Sequence, residues 1–142
     1  MDKKRNTAVF IDGENIAAKK ATKIISIILK EGSVVDYIKV YGLQKDGATR
    51  MWTEVASHTD NMKDIRLYGP PAKNKVDSKI IKDAKTAVKK NRNVDIYYIV
   101  SSDHDYISVI DELRERGKRV VVIGEKKASE KLRKSANKFI QI

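Results

Sequence analysis

The sequence contains no cysteine. Disulfides and thiolate metal sites are therefore excluded, and a metal could be held only by oxygen ligands or by one of two histidines. The same absence fits a cytoplasmic setting. Only two prolines occur, Pro70 and Pro71, side by side in YGPPAKNK, the longest expected loop. No apolar run approaches the ~18 residues that a membrane-spanning helix needs, so no membrane partner is expected. Near the start, the short apolar run in MDKKRNTAVFIDGEN meets Asp12 too soon to read as a signal peptide. Acidic residues are the scarcer sign. Nineteen Asp and Glu face thirty Lys and Arg, a formal net charge of +11 with a pI near 9.7. Such a field attracts polyanions, and nucleic acid is the commonest of these.

What is present suits one domain over residues 1–142. A chain of this length buries roughly 70% of its unfolded surface. Hydrophobic content of 41% supplies a core, and charged content of 35% supplies a solvated exterior. Short β-rich runs recur at TAVFI (7–11), YIKVY (37–41), IRLY (65–68), DIYYIV (95–100) and RVVVI (119–123), with a weak sixth at KFIQI (138–142). Most are continuous and not alternating, as in parallel strands covered on both faces. Helical spacing fills the gaps at 15–31, 48–59, 76–91, 105–116 and 128–136. Strict alternation of strand and helix predicts an α/β, Rossmann-like three-layer sandwich with a mainly parallel sheet of five to six strands.

In such a sheet, ligands bind outside the carboxyl ends of the strands, where the helix N-termini also lie. Asp12 follows the first strand in IDGEN, Asp103 and Asp105 follow the fourth in SSDHDY, and Asp77 opens the third helix. All four are expected on one rim. Each also has a local reading, because Asp is a preferred helix cap and Asp12 precedes a turn at Gly13. Convergence changes the balance. Two unit charges about 4 Å apart repel by roughly 4 kcal/mol at an effective dielectric of 20. Clustered carboxylates are a liability without a cation, and the oxygen-preferring Mg²⁺ or Mn²⁺ suits them best. Asp83 lies about 9 Å further along the same helix, which suits a supporting role behind the ligands or a surface charge. Asn15 is expected to cap the first helix or to touch a substrate phosphate there. His104 sits between the paired acids, and His58 falls on the second helix. No Ser-His-Asp arrangement and no P-loop is legible.

VFIDGEN, KVDSKIIKDA, SSDHDY and the ending GEKKASEKLRKSANKFIQI resemble, in this order, the NYN domains of the PIN-like nuclease superfamily. The resemblance spans essentially the whole chain. It implies a Rossmann-like α/β fold and a metal-dependent ribonuclease. It makes Asp12, Asp77, Asp103 and Asp105 the acidic metal-site and catalytic residues, with Asp83 a lesser member. Two departures stand out: Ser102 where the family often has Gly, and Ala136-Asn137 where it often has Ala-Asp.

The expected activity is hydrolysis of RNA phosphodiester bonds with Mg²⁺ or Mn²⁺, with endonuclease action favoured. Lys19, Lys73, Lys75 and Lys126, with Asn15, are the expected substrate contacts, joined by Lys20, Lys23, Lys45, Arg50 and Lys127 on a basic rim. Tyr41, Tyr68 and Tyr106 lie near strand ends, where a ring either packs or stacks on a base. The partner would be single-stranded RNA, and a homodimer would enlarge the RNA surface although no motif demands it. The alternative is a non-catalytic RNA-binding module that retains a metal site. Other phosphotransfer folds fit less well, since Asp12-Gly13-Glu14 lacks the two-apart Asp pair that haloacid-dehalogenase-type phosphatases place after strand one.

Overall fold

The computed structural model describes residues 5–44, 47, 50–70, 72 and 74–142. Six strands form one sheet: β1 (Asn6–Asp12), β2 (Val34–Leu43), β3 (Met62–Leu67), β4 (Val94–Val100), β5 (Arg119–Gly124) and β6 (Lys138–Gln141). Their order is β3-β2-β1-β4-β5-β6, and every neighbouring pair is parallel. Five helices connect them: α1 (Ala21–Lys30), α2 (Arg50–Ser57), α3 (Lys75–Lys90), α4 (Ile107–Glu115) and α5 (Glu130–Ser135). Among the described residues, no helix is long and apolar enough to cross a membrane.

The continuous apolar strands are explained by burial on both faces. On β1, Ala8 and Phe10 pack toward α3, α4 and α5, where Ile80, Ala84, Ile110, Leu113 and Leu132 meet them. Val9 and Ile11 point the other way, toward Ile24 and Ile28 of α1 and Trp52 of α2. All four of these β1 side chains are fully buried. The chain builds outward from β1 to β3, and α3 then carries it back past β1 to begin β4. Right-handed crossovers in opposite directions place their helices on opposite faces. The direction of winding therefore reverses between β1 and β4, which opens a crevice at their carboxyl ends.

Several element ends differ from expectation, β2 among them with its start at Val34. β3 begins at Met62, three residues earlier than its apolar run suggests, because this strand forms the sheet edge and is covered only in part. There Asp64 accepts from Thr53 Oγ1 at 2.5 Å and Arg66 Nε at 2.9 Å. The first helix starts late. A 3-10 turn at Ala18–Lys20 precedes α1, and residues 13–16 instead wrap around the end of β1. The backbone amides of Asn15 and Ile16 both donate to Asp12 O, at 3.2 and 3.0 Å.

Candidate metal centre

The site is built from that wrapped turn. Asp12 ends β1 and is only 5% exposed. Its Oδ1 accepts from the backbone amides of Glu14 and Asn15, both at 3.2 Å. Its Oδ2 accepts from Tyr106 Oη at 3.0 Å and Ser101 Oγ at 3.3 Å. Burial pushes the Asp12 carboxyl above its ordinary range, and these hydrogen bonds only partly oppose the shift. Gly13 makes the turn feasible. Its amide donates to Tyr41 O at 2.9 Å, and an added Cβ would lie 2.6 Å from that oxygen and 3.1 Å from Trp52 Cδ1. Gly13→Ala is therefore expected to lose roughly 1–3 kcal/mol of stability in urea unfolding, since the nearest obstacle is backbone.

The β4 side is tied to this turn. Ser101 Oγ donates to Asp12 and accepts from the Asp103 amide at 3.1 Å, so one hydroxyl fixes two of the acids relative to each other. Asn15 does not cap α1. Its Oδ1 accepts from the Ser102 amide at 2.8 Å, clamping the β1 turn to the β4 loop. Ser102 makes a contact that Gly could not, because its Oγ accepts from the Glu125 amide at 2.8 Å and links β4 to the end of β5. Asn137, the second departure, has Oδ1 on the Val120 amide at 2.8 Å, at the opposite edge of the sheet.

Asp103 is a cap as well as a site residue, since its Oδ1 accepts from the Asp105 amide at 2.9 Å where a 3-10 turn (His104–Tyr106) begins. Asp77 is not a cap. It lies in the first turn of α3, 6% exposed, and the preceding cap position belongs to Asn74 in the left-handed conformation (φ 65°). Burial comes first in pushing the Asp77 carboxyl up to about 6, followed by a hydrogen bond shared with Asp105; the charges of Asp103 and Asp105 add to this. Asp12, Asp77 and Asp103 line one cleft of about 220 Å³ together with Glu14, Asn15, Asn74 and Val76. Asp105 reaches it through Asp77. One oxygen or nitrogen each from Asp103, His104 and Asp105 also lie within 4.8 Å of one another, with the His104 side chain 75% exposed.

The donor set fits a hard divalent cation. It offers carboxylates from three elements, two of them buried and pushed toward the neutral acid, which is the state a nearby cation would reverse. Tyr106 is one of the strand-end tyrosines expected either to pack or to stack on a base, and it packs. It is fully buried under Asp12. The available signal was its hydroxyl, because a tyrosine buried after an acidic loop needs a polar partner. Tyr106→Phe is expected to lower metal affinity or activity by about 10–100-fold, read by Mn²⁺ titration and by cleavage rate.

The remaining expected residues fall as follows. Asp83 Oδ2 accepts from Tyr41 Oη at 2.7 Å, and its Oδ1 pairs with Lys79 at 3.2 Å. Tyr41 in turn pairs with Asp12 across β1 and β2, so Asp83 supports the strand beside the site. The Lys75 ammonium donates to Tyr68 O and to Pro70 O, the latter at 3.2 Å, fastening the loop ahead of α3. Lys20 pairs with Glu125 at 2.5 Å, and this partner holds the Glu125 carboxyl below its ordinary range. Lys19, Lys23, Arg50, Lys126 and Lys127 are exposed. Trp52 is core and donates to Ile16 O at 2.9 Å. Lys45 and Lys73 lie outside the described residues.

A parallel α/β sandwich with acids gathered at its switch point is the plan of a PIN-like nuclease domain. The NYN domain model matches residues 6–142, and the chain belongs to the NYN domain family. That family has a PIN-like nuclease fold, is generally nuclease-like and RNA-binding, and its nucleases usually use divalent metals. A crystal structure of a protein of unknown function from Vibrio parahaemolyticus superposes with a TM-score of 0.80 at 20% identity. The match covers 100% of this chain and 95% of that one, and it shows a shared fold. No curated protein matches the sequence.

Proposed function

We propose that this protein is a metal-dependent ribonuclease that hydrolyses RNA phosphodiester bonds at the β1–β4 crevice. The carrying observation is the cleft itself: buried Asp12 and Asp77 face Asp103 and Asp105 at the carboxyl edge of a chain whose net charge is +11. Nothing basic is hydrogen-bonded or ion-paired to Asp12, Asp77, Asp103 or Asp105 among the described residues, apart from His104 beside the last two. Mg²⁺ or Mn²⁺ held by these four carboxylates would activate water and neutralise charge at the scissile phosphate.

The protein's own groups do the rest. Tyr106 and Ser101 hold the Asp12 carboxylate in one orientation. Asn15 and Ser102 keep the two loops at a fixed separation. Lys19 and Lys126, both exposed, contribute positive charge near the carboxyl edge, where the phosphate backbone arrives, while Lys75 adds its charge from the loop carbonyls it holds. The cleft opens onto the rim, so an internal stretch of single-stranded RNA can lie across it; this favours endonuclease action.

The test uses end-labelled and internally labelled single-stranded RNA with Mg²⁺, with Mn²⁺ and with EDTA. The expected result is cleavage with either ion, none in EDTA, and internal fragments as the earliest products. RNA that binds but is never cut under any of these conditions would replace the proposal with a non-catalytic RNA-binding module.

A further inference from the structure

Helix α3 starts at the cleft with Asp77 and runs 16 residues, roughly 24 Å, down the outside of the sheet. At 100° per residue, its buried positions Val76, Ile80, Ala84, Ala87 and Val88 fall on one arc. Lys75, Lys79, Lys82, Lys85, Lys89 and Lys90 all fall on the opposite arc, about one ammonium or more per turn. Lys75 is taken by the loop carbonyls and Lys79 by Asp83. Lys82, Lys85, Lys89 and Lys90 have no ion-pair partner among the described residues.

A surface helix without a ligand usually alternates the signs of its charges, because neighbours three and four apart interact. The other helices on this face do so. Glu130 and Lys134 of α5 pair at 3.1 Å, and α4 mixes Asp111 and Glu115 with Arg114. In α3, Lys82, Lys85 and Lys89 follow one another at three- and four-residue spacing, an arrangement that repels itself. A polyanion lying along the helix would remove that repulsion.

We infer that the lysine row of α3 is a track for the RNA phosphate backbone, holding several nucleotides beside the cleft as well as those within it. The inference rests on the reading of the cleft as an RNA site. Its consequence is length dependence: long RNA gains contacts that short RNA cannot make. Phosphate contacts carry no base information, so the gain is independent of sequence.

The test compares RNA of ~4 and ~16 nucleotides, the range of single-strand site sizes. Affinity is measured by anisotropy between about 50 and 200 mM salt, in an Asp103→Asn background so that no substrate is consumed. The variant carries Lys82→Gln, Lys85→Gln and Lys89→Gln, exposed or half-buried helix positions where Gln is nearly as good a helix former. The control carries Lys30→Gln on α1, Lys63→Gln on β3 and Arg116→Gln after α4, the same charge change outside the α3 row. The track predicts that log affinity for the long RNA falls less steeply with log salt, by about 2 at ~0.7 per phosphate. The short RNA and the control protein should keep their slopes. An unchanged slope on the long RNA, or an equal loss in the control, overturns the track. Metal-dependent cleavage in the parent protein would then still support the ribonuclease reading, whereas a reduced slope without cleavage of any RNA leaves the track standing and removes the nuclease.

Discussion

Asp103→Asn is expected to leave the fold in place and to remove metal-dependent RNA cleavage. The two halves of that outcome come from two jobs of one side chain. As a cap, Asp103 presents Oδ1 to the Asp105 amide at 2.9 Å, and Asn caps about as well as Asp. Its backbone amide, which donates to Ser101 Oγ, is untouched. The thermal midpoint should therefore move by no more than a few degrees, the equivalent of about 1 kcal/mol in a domain of this size. As a ligand, however, Asn offers no charge and a weaker oxygen. The rate loss should exceed the ~10–100-fold typical of losing an outer partner of a metal site. Single-turnover cleavage with saturating Mn²⁺ checks the rate, and circular dichroism checks the fold. Activity within tenfold of the parent would remove Asp103 from the ligand set.

The fold was legible because burial on both faces leaves a strong signal. TAVFI, DIYYIV and RVVVI read as strands since every position on them beyond the leading Asp95 and Arg119 is buried, and the alternation with amphipathic helices implied the layering. β3 was read short because an edge strand is covered in part, so Lys63 and Asp64 look like loop. The start of α1 was misplaced for a different reason. Helical spacing at Ile16 matched the pattern, but the backbone amides of residues 14–16 are drawn to Asp12, a competition that hydrophobic periodicity cannot register. The acids could be placed on one rim from the topological rule alone. Their mutual wiring could not: Ser101 reaching Asp12, and Asn15 reaching Ser102, are contacts between residues far apart in sequence with no spacing to mark them. Lys75 shows the converse. Its sequence position suits phosphate binding, but its ammonium is spent on neighbouring carbonyls.

Asp77→Asn should make the metal-free protein more stable at neutral pH while removing cleavage. Burial and the neighbouring Asp105 hold the Asp77 carboxyl up at about 6, against an ordinary value of 3.8. Below about pH 3 the group is largely protonated in both folded and unfolded chains, so it makes little difference to stability. Between that point and about pH 6 the unfolded chain ionises first, and stability falls as pH rises. Above that window the full penalty stays, at most about 3 kcal/mol for a shift of this size. Asn removes the ionisation, keeps an oxygen for the Ser78 amide that Asp77 Oδ1 now accepts from at 2.9 Å, and gives Asp105 a donor in place of a second carboxylate. Urea unfolding in EDTA should therefore show the variant gaining on the parent as pH is raised from 4.5 to 7.5, with about a third of the full gain already present at the acid end. Adding Mn²⁺ should reverse the order at pH 7.5, because the parent binds the ion in its folded state and the variant binds it weakly. A parent protein whose metal-free stability stays level across this range would mean that Asp77 is not held in a carboxylate cluster, and the metal site would have to be drawn without it.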